Sequence, residues 1–337
     1  MKKKVFVRAD GNSLIGLGHV YRSFAVADFL RNDFECIFII RAPDERIIQE
    51  AAKYFDKVIE ISSGSSLSEE LTIMSSLITR EDIIVLDGYS FDTFYQLQIQ
   101  QTGCKVVCID DIYAYEFVAD VVINHAVGII PSNYVLGANT KLYLGPEYAL
   151  LRKPFLEAAK NGKKKGNDHT FFVCLGGADP TNTTLNVVKR ITATLGEQFL
   201  TDIQVNVVIG SAYKYEKTLL DYSQTNSFIN LKIKRNLMAD EMISLMQRCG
   251  VAICSPSTIT FEYASVSLGD LYLCKTADNQ ATFHKHMIDT HAAMRFFEDF
   301  NGIDLFSTPK STENYFSLML DGRQDIRILD IFCDLTR

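Results

Sequence analysis

The residue with the clearest chemical potential is His19, which closes the stretch Gly11-Asn12-Ser13-Leu14-Ile15-Gly16-Leu17-Gly18-His19 and stands three residues before Arg22. From there Val20, Phe24, Ala27 and Leu30 recur at helical spacing, so His19 is expected on the first turn of a helix with one core-facing stripe. A helix start gathers unpaired N–H groups and a partial positive charge, which suits an anionic or strongly polar ligand. The same field discourages an imidazolium there, and a neutral imidazole is what a general base requires. Gly11, Gly16 and Gly18 are expected to give the preceding turn backbone angles closed to other residues. The spacing does not spell the dinucleotide pattern G-x-G-x-x-G, and glycine-rich strand-to-helix turns also occur with no catalytic role.

Other polar groups end apolar runs. Asp10, Asp87-Gly88-Tyr89 and Asp110-Asp111 each follow a strand-like segment, where carboxylates and a tyrosine can meet a sugar's hydroxyl or amide groups. Aspartates at strand ends equally serve as caps for the next helix. Metal binding by Asp110-Asp111 is a weaker reading, because neighbours on a strand point to opposite faces. In the second half Gly176-Gly177 permits close backbone approach to a ligand, with Asp179 or Thr181 placed to cap the following helix. Ser255-Pro256-Ser257-Thr258 leaves a buried run and enters a helix, a setting that suits a diphosphate, and Glu262 one turn later can accept two hydrogen bonds from a ribose diol. The same letters also read as an ordinary Ser/Thr cap with a favourable glutamate. Asn279 and Gln280 follow another strand end and offer two amides to sugar hydroxyls. His284, His286 and His291 match no ligand spacing and read as a solvated helix face, so no metal is expected.

These residues need a scaffold, and the chain alternates strand-like and helix-like segments. Strands are expected at Lys3–Ala9, Glu35–Arg41, Lys57–Ser62, Asp82–Asp87, Lys105–Asp111 and Ala119–His125, with helices near Asp44–Lys53, Ser68–Thr79 and Phe91–Gln101. Runs such as Ile83-Ile84-Val85-Leu86 read as parallel strands covered on both faces. Asn133 to Phe155 interrupts the alternation, and the polar run Lys160–Asp168 is the expected linker. A second series follows: strands Thr170–Leu175, Ile203–Ile209, Asn230–Arg235, Val251–Cys254 and Leu271–Lys275, with helices near Thr183–Leu195 and Met238–Arg248. The expectation is an α/β protein of two parallel-sheet domains, 1–160 and 168–310, facing each other across a cleft. Residues 311–337, with helices over Ser311–Leu320 and Asp325–Leu335, are expected to pack across the domains.

Composition bounds the function. A chain of 337 residues accommodates two full cores, and 47% apolar residues with a mean hydropathy of +0.04 describe a soluble globular protein. A net charge of −7 argues against nucleic-acid binding. No apolar run reaches bilayer length, so no stable membrane anchor is expected. The basic start Met1-Lys2-Lys3-Lys4-Val5 is broken by Arg8, Asp10 and Asn12 and reads as a first strand, not a signal peptide. Eight scattered cysteines with no C-x-x-C pair read as buried thiols of a cytoplasmic protein, which is expected to be a monomer.

Taken in order, the motifs Gly16-Leu17-Gly18-His19-Val20-Tyr21-Arg22, Asp87-Gly88-Tyr89, Ile109-Asp110-Asp111, Tyr148-Ala149-Leu150-Leu151-Arg152, Gly176-Gly177-Ala178-Asp179, Ser257 to Glu262 and Ala277-Asp278-Asn279-Gln280 carry a resemblance that runs nearly end to end. The chain resembles the UDP-2,4-diacetamido-2,4,6-trideoxy-beta-L-altropyranose hydrolases of pseudaminic-acid biosynthesis. More distantly, it resembles the peptidoglycan N-acetylglucosaminyltransferases and spore-coat polysaccharide proteins. The resemblance implies a GT-B fold of two Rossmann-type domains that binds a UDP-sugar, with UDP mainly on the second. Glu262 would then take the ribose, and Gly176, Gly177, Ser257 and Thr258 the diphosphate. His19, Tyr89, Asn279 and Gln280 would surround the sugar, beside Gly16, Gly18 and Arg22 of the first motif. His19 would act as base for a water that attacks the anomeric carbon, with inversion and C–O cleavage, and Asp10 or Tyr89 would position the sugar. No cofactor or metal is implied. The alternatives are a glycosyltransferase using the same donor and a non-catalytic nucleotide-sugar-binding protein. A transferase for a lipid-linked acceptor should expose an apolar patch on the first domain, of which the sequence offers little. Two places differ from the family pattern: Tyr263 to Leu271 lacks its G-x-P turn, and Gly88 stands where relatives often carry histidine.

Overall fold

A computed structural model describes residues 2–11, 17–177, 179–195, 203–226, 230–276, 280–289, 295–296, 316 and 319–337. The chain divides into two compact units, Met1–Lys153 with Arg323–Arg337, and Pro154–Gly322.

In the first unit, runs of apolar and β-branched residues form β1 (Lys4–Ala9), β2 (Glu35–Arg41), β3 (Lys57–Ile61), β4 (Ile83–Asp87) and β5 (Lys105–Ile109). The short β6 (Glu116–Phe117) pairs separately with β8 (Val135–Leu136), while β7 (Val121–Asn124) and β9 (Lys141–Leu144) extend the main sheet. Its order is β3-β2-β1-β4-β5-β7-β9, parallel throughout. Between strands lie α1 (Gly18–Leu30), α2 (Glu45–Ala51), α3 (Leu67–Leu77) and α4 (Thr93–Gln100). α3 is held at its start by a capping box in which the Ser66 hydroxyl accepts from Glu69 N–H, and α4 by the Asp92 carboxylate on Tyr95 N–H. The strand order reverses between β1 and β4, where Ala9 lies opposite Asp87, so the crevice at that point opens at both strands' carboxyl ends.

The second unit opens with α5 (Lys153–Lys160) and contains β10 (Asn167–Cys174), β11 (Gln204–Ile209), β12 (Asn230–Arg235), β13 (Cys249–Cys254), β14 (Asp270–Leu273) and β15 (Arg295–Phe296). The order is β12-β11-β10-β13-β14-β15, again all parallel. Its helices are α6 (Thr183–Leu195), α7 (Glu216–Thr225), α8 (Ala239–Met246), α9 (Thr258–Val266) and α10 (Ala281–Asp289). One sheet face, with Phe171, Val173, Val205, Val207, Val251 and Ile253, packs on Leu185, Val188 and Ile191 of α6 and Leu219 of α7. The final helix, α11 (Gln324–Leu335), belongs to the first unit, with Phe332 edge-on to Phe34 at 6.3 Å.

The strands expected from apolar runs are present within a few residues. α5, α7 and β9 add elements where the sequence reads as interruption or connection. The polar run Lys160–Asp168 is tied down rather than free: Lys164 bridges Ser267 in parallel, and β10 begins at Asn167. Of the helix expected over Ser311–Leu320, only residues 316, 319 and 320 are described. Tyr263 is wholly buried, stacks on Phe172 at 6.1 Å and donates its hydroxyl to Cys249 O, while Gly269 passes so close that any Cβ there would strike that hydroxyl. All eight cysteines are free, and seven are buried.

Candidate functional site

His19 sits on the first turn of α1, directly after the β1 loop, and the β1–β4 pairing brings the end of β4 against it. Its Nδ1 lies 2.7 Å from Asp87 Oδ1, and Asp87 is fully buried. Arg22, one turn along α1, donates to the same carboxylate from Nε at 3.0 Å and from Nη2 at 2.5 Å, and from Nη1 to Asp111 Oδ2 at 3.0 Å. Arg22 Nη2 also comes within 2.7 Å of His19 Nδ1. The tautomer assigned to His19 carries its proton on Nδ1, where it is given to the buried Asp87 carboxylate, and the Arg22 guanidinium crowds the same oxygen as a second donor. Nε2 then holds the lone pair, and the side chain keeps 16% exposure.

Electrostatics reinforce the geometry. Burial opposes the charge on Arg22, but Asp87 and Asp111 outweigh it and hold the guanidinium above its ordinary range. Burial likewise opposes ionisation of Asp87, and Arg22 followed by His19 overcomes it, keeping the carboxyl below its usual value. The Tyr89 ring meets the His19 ring edge-on at 4.9 Å, and its hydroxyl lies 3.4 Å from Asp111 Oδ2. One oxygen of Asp111, Oδ1, is shielded from solvent and has no hydrogen-bond partner. His125, immediately after β7, is buried beside Arg22, Asp87 and Asp111, and burial with the Arg22 charge lowers its pKa to about 4.

The structure thus brings together His19, Arg22 and Tyr89 with Asp87 and Asp111, two of the strand-end carboxylates the sequence offers, and adds His125. Asp10 is engaged elsewhere: it accepts a two-pronged contact from Arg8 and, at 2.9 Å, the backbone N–H of Arg41. The carboxylate on the imidazole is that of Asp87. Asp110 is a fold residue, accepting from Tyr134 Oη at 2.8 Å and from the N–H groups of Ile112 and Tyr113. Gly18 departs from expectation, since it takes no left-handed backbone angle. As the first residue of α1 it leaves open space where a side chain would stand. A side chain at Gly88 would meet the Phe91 ring at 3.0 Å. Gly16 and Asn279 lie outside the described residues. Leu17, at the cap position of α1, provides no side-chain cap.

The second unit repeats the arrangement at its own strand-order reversal, between β10 and β13, where Cys174 lies opposite Cys254. Gly176 has φ +92°, an angle that favours glycine, and Gly177 approaches Gly210 so closely that a Cβ on Gly210 would lie 2.6 Å from Gly177 Cα. Asp179 caps α6, accepting from Thr183 N–H at 2.9 Å and Thr184 N–H at 2.7 Å. Ser257 occupies the cap position of α9 but does not cap it; its hydroxyl lies 3.0 Å from that of Ser255. Thr258 opens the helix half-buried, and Glu262 is 5% exposed one turn on. Gln280 accepts the Thr276 N–H on its Oε1 at 2.8 Å. Among the described residues no three His, Cys, Asp or Glu side chains converge to hold a metal ion, and no helix is long and apolar enough to cross a membrane.

No family model matches the chain. It is 28% identical over 272 residues to the uncharacterized protein MJ1062 of Methanocaldococcus jannaschii, a match that covers 77% of this chain and 53% of that protein, so the chain spans about half the relative's length. It is 25% identical over 285 residues to UDP-2,4-diacetamido-2,4,6-trideoxy-beta-L-altropyranose hydrolase of Campylobacter jejuni, covering 83% of this chain and 94% of the relative. To the spore coat polysaccharide biosynthesis protein SpsG of Bacillus subtilis it is 23% identical over 294 residues, covering 86% and 82%. Among solved structures, MurG of Acinetobacter baumannii superposes with a TM-score of 0.57 at 13% identity, over 98% of this chain and 99% of that one. A glycotransferase of kitacinnamycin gives 0.63 at 11% identity over the whole of both chains. The fold is GT-B, and the sequence relatives include proteins named for nucleotide-sugar hydrolysis and polysaccharide biosynthesis.

Proposed function

We propose that this chain hydrolyses a UDP-linked 2,4-diacetamido-2,4,6-trideoxy sugar to the free sugar and UDP, in nonulosonic acid biosynthesis. The observation that carries the reading is the His19–Asp87 pair, an imidazole oriented through Nδ1 by a buried, ionised carboxylate with Nε2 left to take a proton. In the reaction Nε2 removes a proton from water as its oxygen bonds the anomeric carbon. The C–O bond to UDP breaks with inversion, and the electron pair leaves on the diphosphate. The uncapped start of α9, with Ser257 and Thr258 and the close backbone at Gly176 and Gly177, is suited to that growing charge. Glu262 is assigned the ribose diol. Tyr89, Arg22, Gly16, Gly18, Asn279 and Gln280 are assigned to the sugar, and Asp10, held by Arg8 and the Arg41 N–H, to fixing the end of β1. The relative of that name, matched over 94% of its length, supports the choice of substrate. The protein is taken to work without cofactor, as a cytoplasmic monomer.

One observation favours a second reading, transfer of the sugar to an acceptor hydroxyl activated by the same base. Phe94 and Leu97, one turn apart on α4 of the first unit, are 54% and 46% exposed, an apolar face that the sequence reading did not anticipate. Incubation with the diacetamido UDP-sugar in oxygen-18 water separates the readings. Label on the sugar's anomeric carbon with free UDP supports the hydrolase; label in phosphate refutes attack at carbon. UDP release only on addition of an acceptor supports transfer. His19→Ala should abolish turnover with UDP affinity retained, and Glu262→Ala should weaken UDP binding.

A further inference from the structure

We propose that the second unit carries another ligand site, for a small phosphate-bearing anion without an aromatic base, at the amino-terminal end of its sheet, opposite the end that carries the glycine and serine loops. This inference is independent of the proposed reaction. A cavity of about 610 Å³ lies on one face of β10–β12 toward the amino-terminal ends of the strands, within the size range of small-molecule sites. Four cations line it: Lys165, Lys232, Lys234 and Arg248. None has an ion-pair partner among the described residues, and no carboxylate is among the described lining residues. Such a concentration of positive charge is unexpected on a chain of net charge −7, where a concave basic surface focuses anions.

The strand register explains how the site arises. Lys232 on β12 lies opposite Asn206 on β11, which lies opposite Phe172 on β10, so these residues share a face. α8 packs on β13 and α9, and its end, with buried Leu245, forms the cavity's apolar wall, leaving the β11–β12 part of the face to polar residues. Lysines on an edge strand alone protect against unwanted strand pairing. Here the polarity continues inward. Asn206 is 1% exposed on an interior strand, donating to Phe171 O at 3.2 Å and accepting from Gln204 Nε2 at 3.0 Å. A buried amide held by its neighbours makes a fixed floor beneath the cations. No aromatic ring is among the described lining residues, so nothing there stacks a base; this selects a phosphorylated sugar or a free oligophosphate over a nucleotide.

Calorimetric titration of the full chain with inorganic pyrophosphate and with fructose 1,6-bisphosphate, at low salt and with or without saturating UDP, tests the site. The expected result is saturable binding that persists in UDP, weakens with salt, and shows at least a tenfold higher Kd in the Lys232→Glu/Lys234→Glu variant. A tighter bisphosphate identifies a phosphorylated sugar, and a tighter pyrophosphate a free oligophosphate. Binding abolished by UDP, or unchanged in the variant, overturns the proposal. The Lys232→Gln/Lys234→Gln pair replaces the reversal if circular dichroism shows that variant unfolded. Failure of UDP itself to bind would count against the proposed function while leaving the pyrophosphate comparison decisive.

Discussion

Acidification from pH 7 to pH 5 should cost the protein about 2 kcal/mol through one side chain, His125. It is 7% exposed, and burial first and the Arg22 charge second hold its pKa at about 4 against an ordinary 6.5, with Asp111 and Asp87 pulling weakly the other way. The native imidazole therefore stays neutral to about pH 4, whereas the unfolded chain takes up the proton near 6.5. Through that window the unfolded state binds more protons, so stability is fully present above 6.5, falls as pH drops, and levels off below about 4. At pH 5 the loss is about 1.4 kcal/mol for each of roughly 1.5 pH units, or about 2 kcal/mol. Denaturant unfolding followed by circular dichroism at the two pH values, for wild type and His125→Gln, reads it as a difference of differences. Carboxylates common to both proteins drop out. The variant should lose about 2 kcal/mol less than wild type. The His125 ring resonance, identified by its absence from the variant's spectrum, should not move until below pH 5. A midpoint above pH 6, or equal acid losses in the two proteins, would refute the reasoning.

Three other perturbations follow from the packing. Asp87→Asn strips buried Arg22 of its nearest counter-charge and should cost about 3–5 kcal/mol, against about 1 kcal/mol or less for Asp111→Asn, whose side chain is 33% exposed; urea denaturation giving equal costs would contradict the partition. Gly269→Ala places a methyl against the Tyr263 hydroxyl and should destabilise by about 1–3 kcal/mol, with part of the loss recovered in the Gly269→Ala/Tyr263→Phe double variant; no recovery would mean the backbone of Gly250 is the obstacle. Asp179→Ala removes the cap on Thr183 and Thr184 at about 1–2 kcal/mol, and Asp179→Gly should be milder because glycine takes φ +40° without strain, an order that thermal melts would check.

The fold was readable wherever burial leaves a mark on composition. Ile83-Ile84-Val85-Leu86 is covered on both faces and shows it, whereas β9, with Lys141-Leu142-Tyr143-Leu144 only half-buried, and α7, mostly polar, leave little periodic signal. His19 was readable because a helix start is a local feature. Its carboxylate partner was not, because Asp87 arrives from 68 residues away and only the β1–β4 pairing says which strand end it faces. Local neighbours favoured Asp10, which the buried Arg8 takes instead. His125 closes an apolar strand and carries no motif; what makes it part of the cluster is its position beside β5. In the second unit, Asp179 shows the ordinary capping role, while Ser257 has the same opportunity and leaves it unused, a distinction that residue type cannot express.

The return of α11 to the first unit has a consequence for synthesis on the ribosome. Phe332 packs on Phe34, and Lys3 donates to Thr336 O at 3.0 Å, so the earliest strand region waits for residues made after the whole second unit. At about 5–20 residues per second, roughly 170 intervening residues take on the order of 10–30 s. During that interval the nascent first unit carries an uncovered apolar surface along α1 and Phe34. A holdase chaperone has a defined window in which to act.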